Sequence, residues 1–300
     1  MNIRQVFAAA ALVALGPVAA QAADTDWSPV AAALGKSGAE MPGGIYRVGL
    51  PRTDLHVTLD GVDIKPTLAL GSWLAFQGGT RGMVMGDLVL TETEVNPVMK
   101  NLAAAGIEIT ALHNHLLRAQ PATFYMHVLG HGEPAKLAAA LHDGLAFSKT
   151  PMGNPAATAT TIAGIQPDTL DLDTAMIDRT LGAKGRIAGG VYQFTIPRAE
   201  TIRDGGMEVP VAMGAGEAIN FQPTGRGKAA ITGDFVLTAK EVNPVLRALR
   251  ENGIEVTALH NHMLDDEPRL FFMHFWANDD AEKLAKGLRA ALDKVNLARS

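Results

Sequence analysis

The chain is written twice. Gly86-Asp87-Leu88-Val89-Leu90-Thr91, followed by Glu94-Val95-Asn96-Pro97-Val98, returns as Gly233-Asp234-Phe235-Val236-Leu237-Thr238, followed by Glu241-Val242-Asn243-Pro244-Val245. The offset is 147 residues, and the same offset carries Ala111-Leu112-His113-Asn114-His115 onto Ala258-Leu259-His260-Asn261-His262 and His127 onto His274. Further upstream, Gly43-Gly44-Ile45-Tyr46 is answered by Gly189-Gly190-Val191-Tyr192. A unit this long, present only twice, is no solenoid repeat but a duplicated module, and two like modules in one chain are expected to pack as a pseudo-symmetric pair.

The boundaries follow from where the match begins and fails. Residues 23–148 form the first module and 170–300 the second; between them, 149–169 is rich in Thr, Ala, Pro and Gly and reads as a linker. Ahead of both, Met1-Asn2-Ile3-Arg4 leads into an apolar run from Val6 to Leu15 and ends in Ala20-Gln21-Ala22. That is the pattern of a secretory signal peptide over 1–22, cleaved near Ala22. The expected location is periplasmic or secreted. Beyond the leader no apolar stretch approaches the roughly 20 residues a membrane helix needs, so no membrane span is expected after cleavage.

Within a module, Met83 to Leu90 is a strand candidate, and Asn96 reads as an N-cap with Pro97 in the first helical turn and Gly106 as the stop. Ile107 to His113 alternates as a half-buried strand does, Thr123 to Leu129 is a second strand, and Pro134 to Leu145 has amphipathic spacing. The Gly- and Val-rich segments before Gly86 add strands of undetermined order. The expected fold class is α+β: two homologous modules, each a mostly antiparallel sheet with helices on one face and a strand-helix-strand-strand-helix core.

Alternation along a strand points His113 and His115 to one face and Asn114 to the other. His115 and His127 are equidistant from Pro121, so a hairpin closing symmetrically there sets them opposite each other; His260, His262 and His274 repeat this about Pro268. These six histidines match between copies, whereas His56, His131 and His142 have no histidine counterpart and read as surface residues. The sequence holds no cysteine, which removes disulfides and thiolate ligands, so a metal here rests on His, carboxylate, Met or backbone. Three neutral imidazoles on one face suit a transition metal ion, Zn, Cu, Ni or Fe, with a further position for water, substrate or carboxylate.

Glu94 and Glu241 are the candidates for catalytic proton acceptor or extra ligand, although each also stands three residues after a Thr, the capping-box spacing. Asp87 and Asp234 each follow a Gly and read as turn formers, and Met126 and Met273 fall on the face opposite the histidines, as core filling. The net charge of −5, with basic residues scattered singly, argues against a nucleic-acid partner. No nucleophile constellation, P-loop or dinucleotide fingerprint occurs.

With the runs GDFVLTAKEVNPVLRALRENGIEVTALHNHM and DEPRLFFMHFWANDDAEKLAKGLRAAL in view, the chain resembles the LppY/LpqO family of exported bacterial proteins, a domain of unknown function, here as two tandem copies. The resemblance spans both modules and implies export, but no activity. Mycobacterial members are lipoproteins, and the lipobox Cys they carry has no counterpart here, so anchoring does not transfer. Three readings stand at this point. One is a metal-binding protein for metal handling or a metal-dependent reaction. Another is a metal-free module binding a polar or anionic small molecule between the copies through the histidines and Arg52/Arg198. The last is a scaffold for a cell-envelope protein partner.

Overall fold

A computed structural model describes residues 25–78, 82–153 and 170–298. The leader at 1–22 and the linker from 154 onward lie outside the described residues. In the first half, strands β1 (Ala39–Met41), β2 (Ile45–Pro51), β3 (Gly71–Gln77), β4 (Gly82–Thr91), β5 (Glu108–His113) and β6 (Thr123–Gly132) form one sheet in the order β1-β2-β3-β4-β6-β5. In the second half, β7 (Arg186–Ala188), β8 (Val191–Pro197), β9 (Gly216–Gly225), β10 (Lys228–Thr238), β11 (Glu255–His260) and β12 (Leu270–Asp280) repeat that order as β7-β8-β9-β10-β12-β11. Every pairing within these two sheets is antiparallel.

Helices cover one face of each sheet. Helices α1 (Ser28–Leu34), α2 (Glu92–Ala104) and α3 (Pro134–Leu145) bury Val30, Leu34, Val98, Leu102 and Leu141 against Val84, Leu88, Met126 and Val128. Helices α4 (Thr174–Leu181), α5 (Ala239–Glu251) and α6 (Ala281–Leu292) do the same against Phe235, Met273 and Phe275. The alternate residues of the same strands face the other module: Met83, Met85 and Leu129 pack with Val236, Met263 and Phe272, and Tyr125 and Val89 pack with Ala230 and Trp276. The layers therefore run helices, sheet, sheet, helices. Burial on both faces explains why Gly82–Leu90 reads as an unbroken buried run rather than an alternating one.

Two local expectations change. Helix α2 starts at Glu92, one turn before Asn96, because Thr91 and Glu94 close a capping box; Pro97 lies inside the helix. Gly106, at φ 81°, does end it, in the left-handed region open to glycine. The β5–β6 register pairs Ala111, not His115, with His127 and His113 with Tyr125, and it shifts between Ile109 and Ala111. His115 thus lies past the strand end, in the connection that leads to β6. An identical shift occurs between Val256 and Ala258 in the second half.

Those paired bulges join the modules. Thr110 donates its hydroxyl to the His262 carbonyl at 2.6 Å, and Thr257 donates to the His115 carbonyl at 2.7 Å. Residue i of one module binds j of the other and the converse holds, as a two-fold relation requires. Asn261, facing away from the histidines, donates to the Thr110 carbonyl at 2.8 Å.

Candidate metal centre

All six repeated histidines meet in a single cluster between the sheets. His113 and His260 stack on each other with ring centroids 3.6 Å apart, His115 lies 3.7 Å from His274, and His127 lies 3.7 Å from His262. Each close pair takes one histidine from each module, so the cluster is one shared site and not two separate ones. Behind it, Tyr125 stacks on His115 and Phe272 on His262, both at 3.4 Å, which fixes the planes of the second histidine in each motif.

Two carboxylates complete the cluster. Asp87 and Asp234 stand in mid-strand, directly across from His127 and His274 in the ladder, so they are not the turn residues expected from their Gly-Asp context. Asp87 Oδ2 is 3.4 Å from His115 Nε2, and Asp234 Oδ2 is 3.1 Å from His262 Nε2. The preceding glycines are required by close strand approach: a Cβ at Gly86 would stand 2.7 Å from the Trp73 carbonyl, and one at Gly233 would collide with the Ala218 carbonyl. The missed signal was an acid in the middle of an apolar strand, present in both copies.

Hydrogen bonding sets the tautomers. His274 Nδ1 lies 2.7 Å from the Gly233 carbonyl, an acceptor only, so Nδ1 carries the proton and Nε2 presents a lone pair. The Gly86 backbone acts on His127 from the corresponding position, and His127 Nε2 has no partner. A backbone carbonyl on the far nitrogen is the usual orienting contact of a metal-bound imidazole. His113 Nε2 and His274 Nε2 are 3.3 Å apart, close to the roughly 3.4 Å that two nitrogens on one tetrahedral zinc adopt at Zn–N distances of about 2.0–2.1 Å.

Burial governs the charge state. It pushes His127 down to about 3 and drives His113, His115, His260 and His262 well below the ordinary imidazole value, with repulsion from neighbouring imidazoles adding to this for each. Burial also lifts Asp234 to about 6, with the charge of Asp87 contributing. Eight buried atoms of the cluster lack a hydrogen-bond partner: Asp87 Oδ1, His113 Nδ1, His115 Nε2, His127 Nε2, Asp234 Oδ1, both ring nitrogens of His260, and His262 Nε2. Leaving one such group unsatisfied costs about 1–3 kcal/mol, so a cation held by the cluster would relieve several of these costs at once.

Three combinations bring one ligand atom from each of three residues within 4.8 Å of one another: His113/His260/His274, His127/His260/His262, and Asp234/His262/His274. Any two of them share a residue. With one ion per side chain, they describe alternative positions of one ion.

The family model described as "Domain of Unknown Function (DUF1259)" matches residues 28–147 and again 175–294. The chain belongs to this family. Among curated proteins none matches. Two solved structures are similar in part. The crystal structure of the trimeric bacterial microcompartment shell protein PduB is 12% identical, with 88% of this chain and 96% of that chain covered and a TM-score of 0.21. EtuB from Clostridium kluyveri is 8% identical, with 86% and 90% covered and a TM-score of 0.20. Overlaps this weak carry no argument about fold or function.

The other candidate residues of this DUF1259 chain are placed away from the cluster's ligand atoms. Glu94 accepts from Arg52 Nη1 at 2.8 Å and from the Thr91 and Lys149 amides at 2.8 Å each. Glu241 accepts from the Thr238 and Asn296 amides at 2.7 and 2.8 Å and pairs with Arg198 at 2.9 Å. Their carboxylates serve the helix caps, and the lone pairs a proton acceptor would use are taken. Arg52 and Arg198 are correspondingly buried in ion pairs, which removes them from the anion-binding reading. His56 and His131 are exposed; His142 is half-buried and ties α3 to the Leu34 carbonyl of α1. Met126 and Met273 are core residues on the helix side, and no helix among the described residues is long and apolar enough to cross a membrane.

Proposed function

We propose that the chain binds a transition metal ion in a polyhistidine cage built jointly by its two modules. The observation that carries this reading is the gathering of eight unpartnered buried nitrogen and oxygen atoms from both halves in one cluster, within which three sets of residues each bring their ligand atoms within 4.8 Å of one another. Two features support it further. Burial keeps most of the imidazoles neutral, the form a metal requires, and Asp87 and Asp234, whose close charged contacts among the described residues are histidines, supply negative charge for a dication. A nitrogen-rich set with carboxylates and no sulfur fits Zn, Cu, Ni or Fe over Ca or Mg.

Four of the six histidines and both aspartates also line a cavity between the sheets, so an ion held there has one side toward a space a second ligand can enter. Metal handling and a metal-dependent reaction both suit that geometry. The LppY/LpqO resemblance and the leader pattern at 1–22 favour an exported protein, periplasmic or secreted, with metal acquired outside the cytoplasm.

The test is elemental analysis of the untagged full chain, beside a His113→Ala/His260→Ala variant whose fold is checked by circular dichroism. One equivalent of metal per chain, lost in the folded variant, is the expected result, since the candidate ligand sets overlap. A wild-type protein that carries no metal and takes up neither Zn, Cu, Ni nor Fe refutes the proposal.

A further inference from the structure

The cavity beside the cluster has a volume of about 450 Å3, within the range of small-molecule sites. Its histidine-lined end is described above; the rest of its wall has a different chemistry. Arg47 of β2 and Arg186 of β7 both line it, one from each module. They are near enough for the charge of Arg186 to act on Arg47, the charge of Asp87 acts on Arg47 as well, and neither arginine forms an ion pair among the described residues. Two guanidinium groups that line one partly buried space, with no carboxylate in ion-pair contact with either, give an anion a favourable place beside them.

Arg47 is preset for such a partner. Its guanidinium lies over the Trp73 ring at 4.0 Å, and one Nη1 hydrogen goes to the Ala212 carbonyl across the module interface. That fixes the plane of the group while leaving most of its five donors unassigned. The charge is also one-sided. Tyr46-Arg47 of the first module corresponds to Tyr192-Gln193 of the second, and Gln193, which lines the same cavity, spends its amide on the Thr67 carbonyl at 2.8 Å. Asp87 and Asp234, beside the histidines, repel an anionic group, which favours the arginine side of the cavity for it.

We propose that this cavity binds a small organic anion, with a carboxylate or phosphate group held between Arg47 and Arg186 and its body directed toward the histidine-lined end. The assignment rests on the arginine pair and the cavity, and stands whether or not the cluster holds metal.

Isothermal titration of the full chain tests it with inorganic phosphate in one arm and succinate in the other, at low ionic strength, on metal-loaded and chelator-treated protein. Binding of at least one probe in the millimolar range or tighter is expected, and the responding arm identifies the anionic group. In Arg186→Ala, an exposed position whose loss leaves the fold intact, affinity should fall about tenfold or more, the loss of a charge-assisted hydrogen bond, with metal content unchanged. Absence of heat from both probes through the millimolar range overturns the proposal. So does binding that Arg186→Ala leaves unaltered, which includes binding seen only in metal-loaded protein through the ion alone. Metal content, read in parallel, reports separately on the cage.

Discussion

Replacing His260 by Leu is expected to change the sign of its effect on stability with metal. His260 lies at the centre of the cluster, stacked on His113 at 3.6 Å, and neither of its ring nitrogens has a hydrogen-bond partner. In chelator-treated protein those nitrogens are a burden. A leucine of similar volume removes them and retains most of the packing, so a gain of about 1–3 kcal/mol is expected from relieving unsatisfied buried polar atoms. In metal-loaded protein the balance reverses. His260 belongs to two of the three ligand sets, and its loss leaves only Asp234/His262/His274 intact. A ligand present at 1,000 times its dissociation constant stabilises by about 4.1 kcal/mol, and losing most of that outweighs the gain. Urea unfolding of wild type and His260→Leu, each with chelator and with saturating Zn, measures all four corners of the cycle. The reasoning is refuted if the substitution destabilises equally in both conditions, because His260 would then be a packing residue whose nitrogens are satisfied in some other way.

Two further perturbations address the scaffold. Glu94→Gln removes one partner of the buried Arg52 pair and should cost about 3 kcal/mol or more in urea unfolding at pH 7. Burial opposes ionisation of Glu94, but Arg52 and the Thr91 and Lys149 amides together hold its carboxyl below the usual 4.5. A depressed folded value means stability that is present above 4.5 and disappears as pH falls through the lower, folded value, so the gap between wild type and Glu94→Gln should narrow in that acid window. Thr110→Val leaves the buried His262 carbonyl without its 2.6 Å donor and should lower stability by about 1–3 kcal/mol. An unchanged urea midpoint in that variant would show that the reciprocal Thr contacts do not hold the modules together.

What the sequence could reveal depended on how local each feature is. The duplication, the strand-helix-strand-strand-helix order and the helix at Pro134–Leu145 were legible because each rests on contiguous pattern. Parity put His113 and His115 on one face and the hairpin about Pro121 brought His127 to them; the three do cluster, although the register differs and His115 lies past the strand end. The start of α2 was misplaced because two local signals compete, Asn96-Pro97 and the Thr91/Glu94 capping-box spacing, and what holds Glu94 in the winning cap includes Arg52, a residue 42 positions away. The hairpin register was hidden by a bulge, which no single strand announces. Asp87 and Asp234 were set aside for the same reason: only the cross-strand pairing with His127 and His274 brings their carboxylates to the cluster.

The shared site itself lay beyond any reading of one module, because it exists only at the junction of two. One half supplies three imidazoles and one carboxylate, and two of the three candidate ligand sets draw on both halves. A perfectly symmetric pair would give the cavity two equivalent sides and no reason for a ligand to prefer one. Here the copies differ at the cavity and beside the cluster. Arg47 stands opposite Gln193, and Tyr125, whose hydroxyl donates to the Ala69 carbonyl at 2.8 Å, stands where the second copy has Phe272. Ser72, which accepts from the Val89 amide, is replaced by the buried Glu217, which accepts from the Val236 amide. The histidines keep the two-fold relation while the surrounding wall breaks it. A symmetric set of ligands beside an asymmetric cavity is the arrangement expected when one ion must be held by both modules but a second ligand must enter in a single orientation.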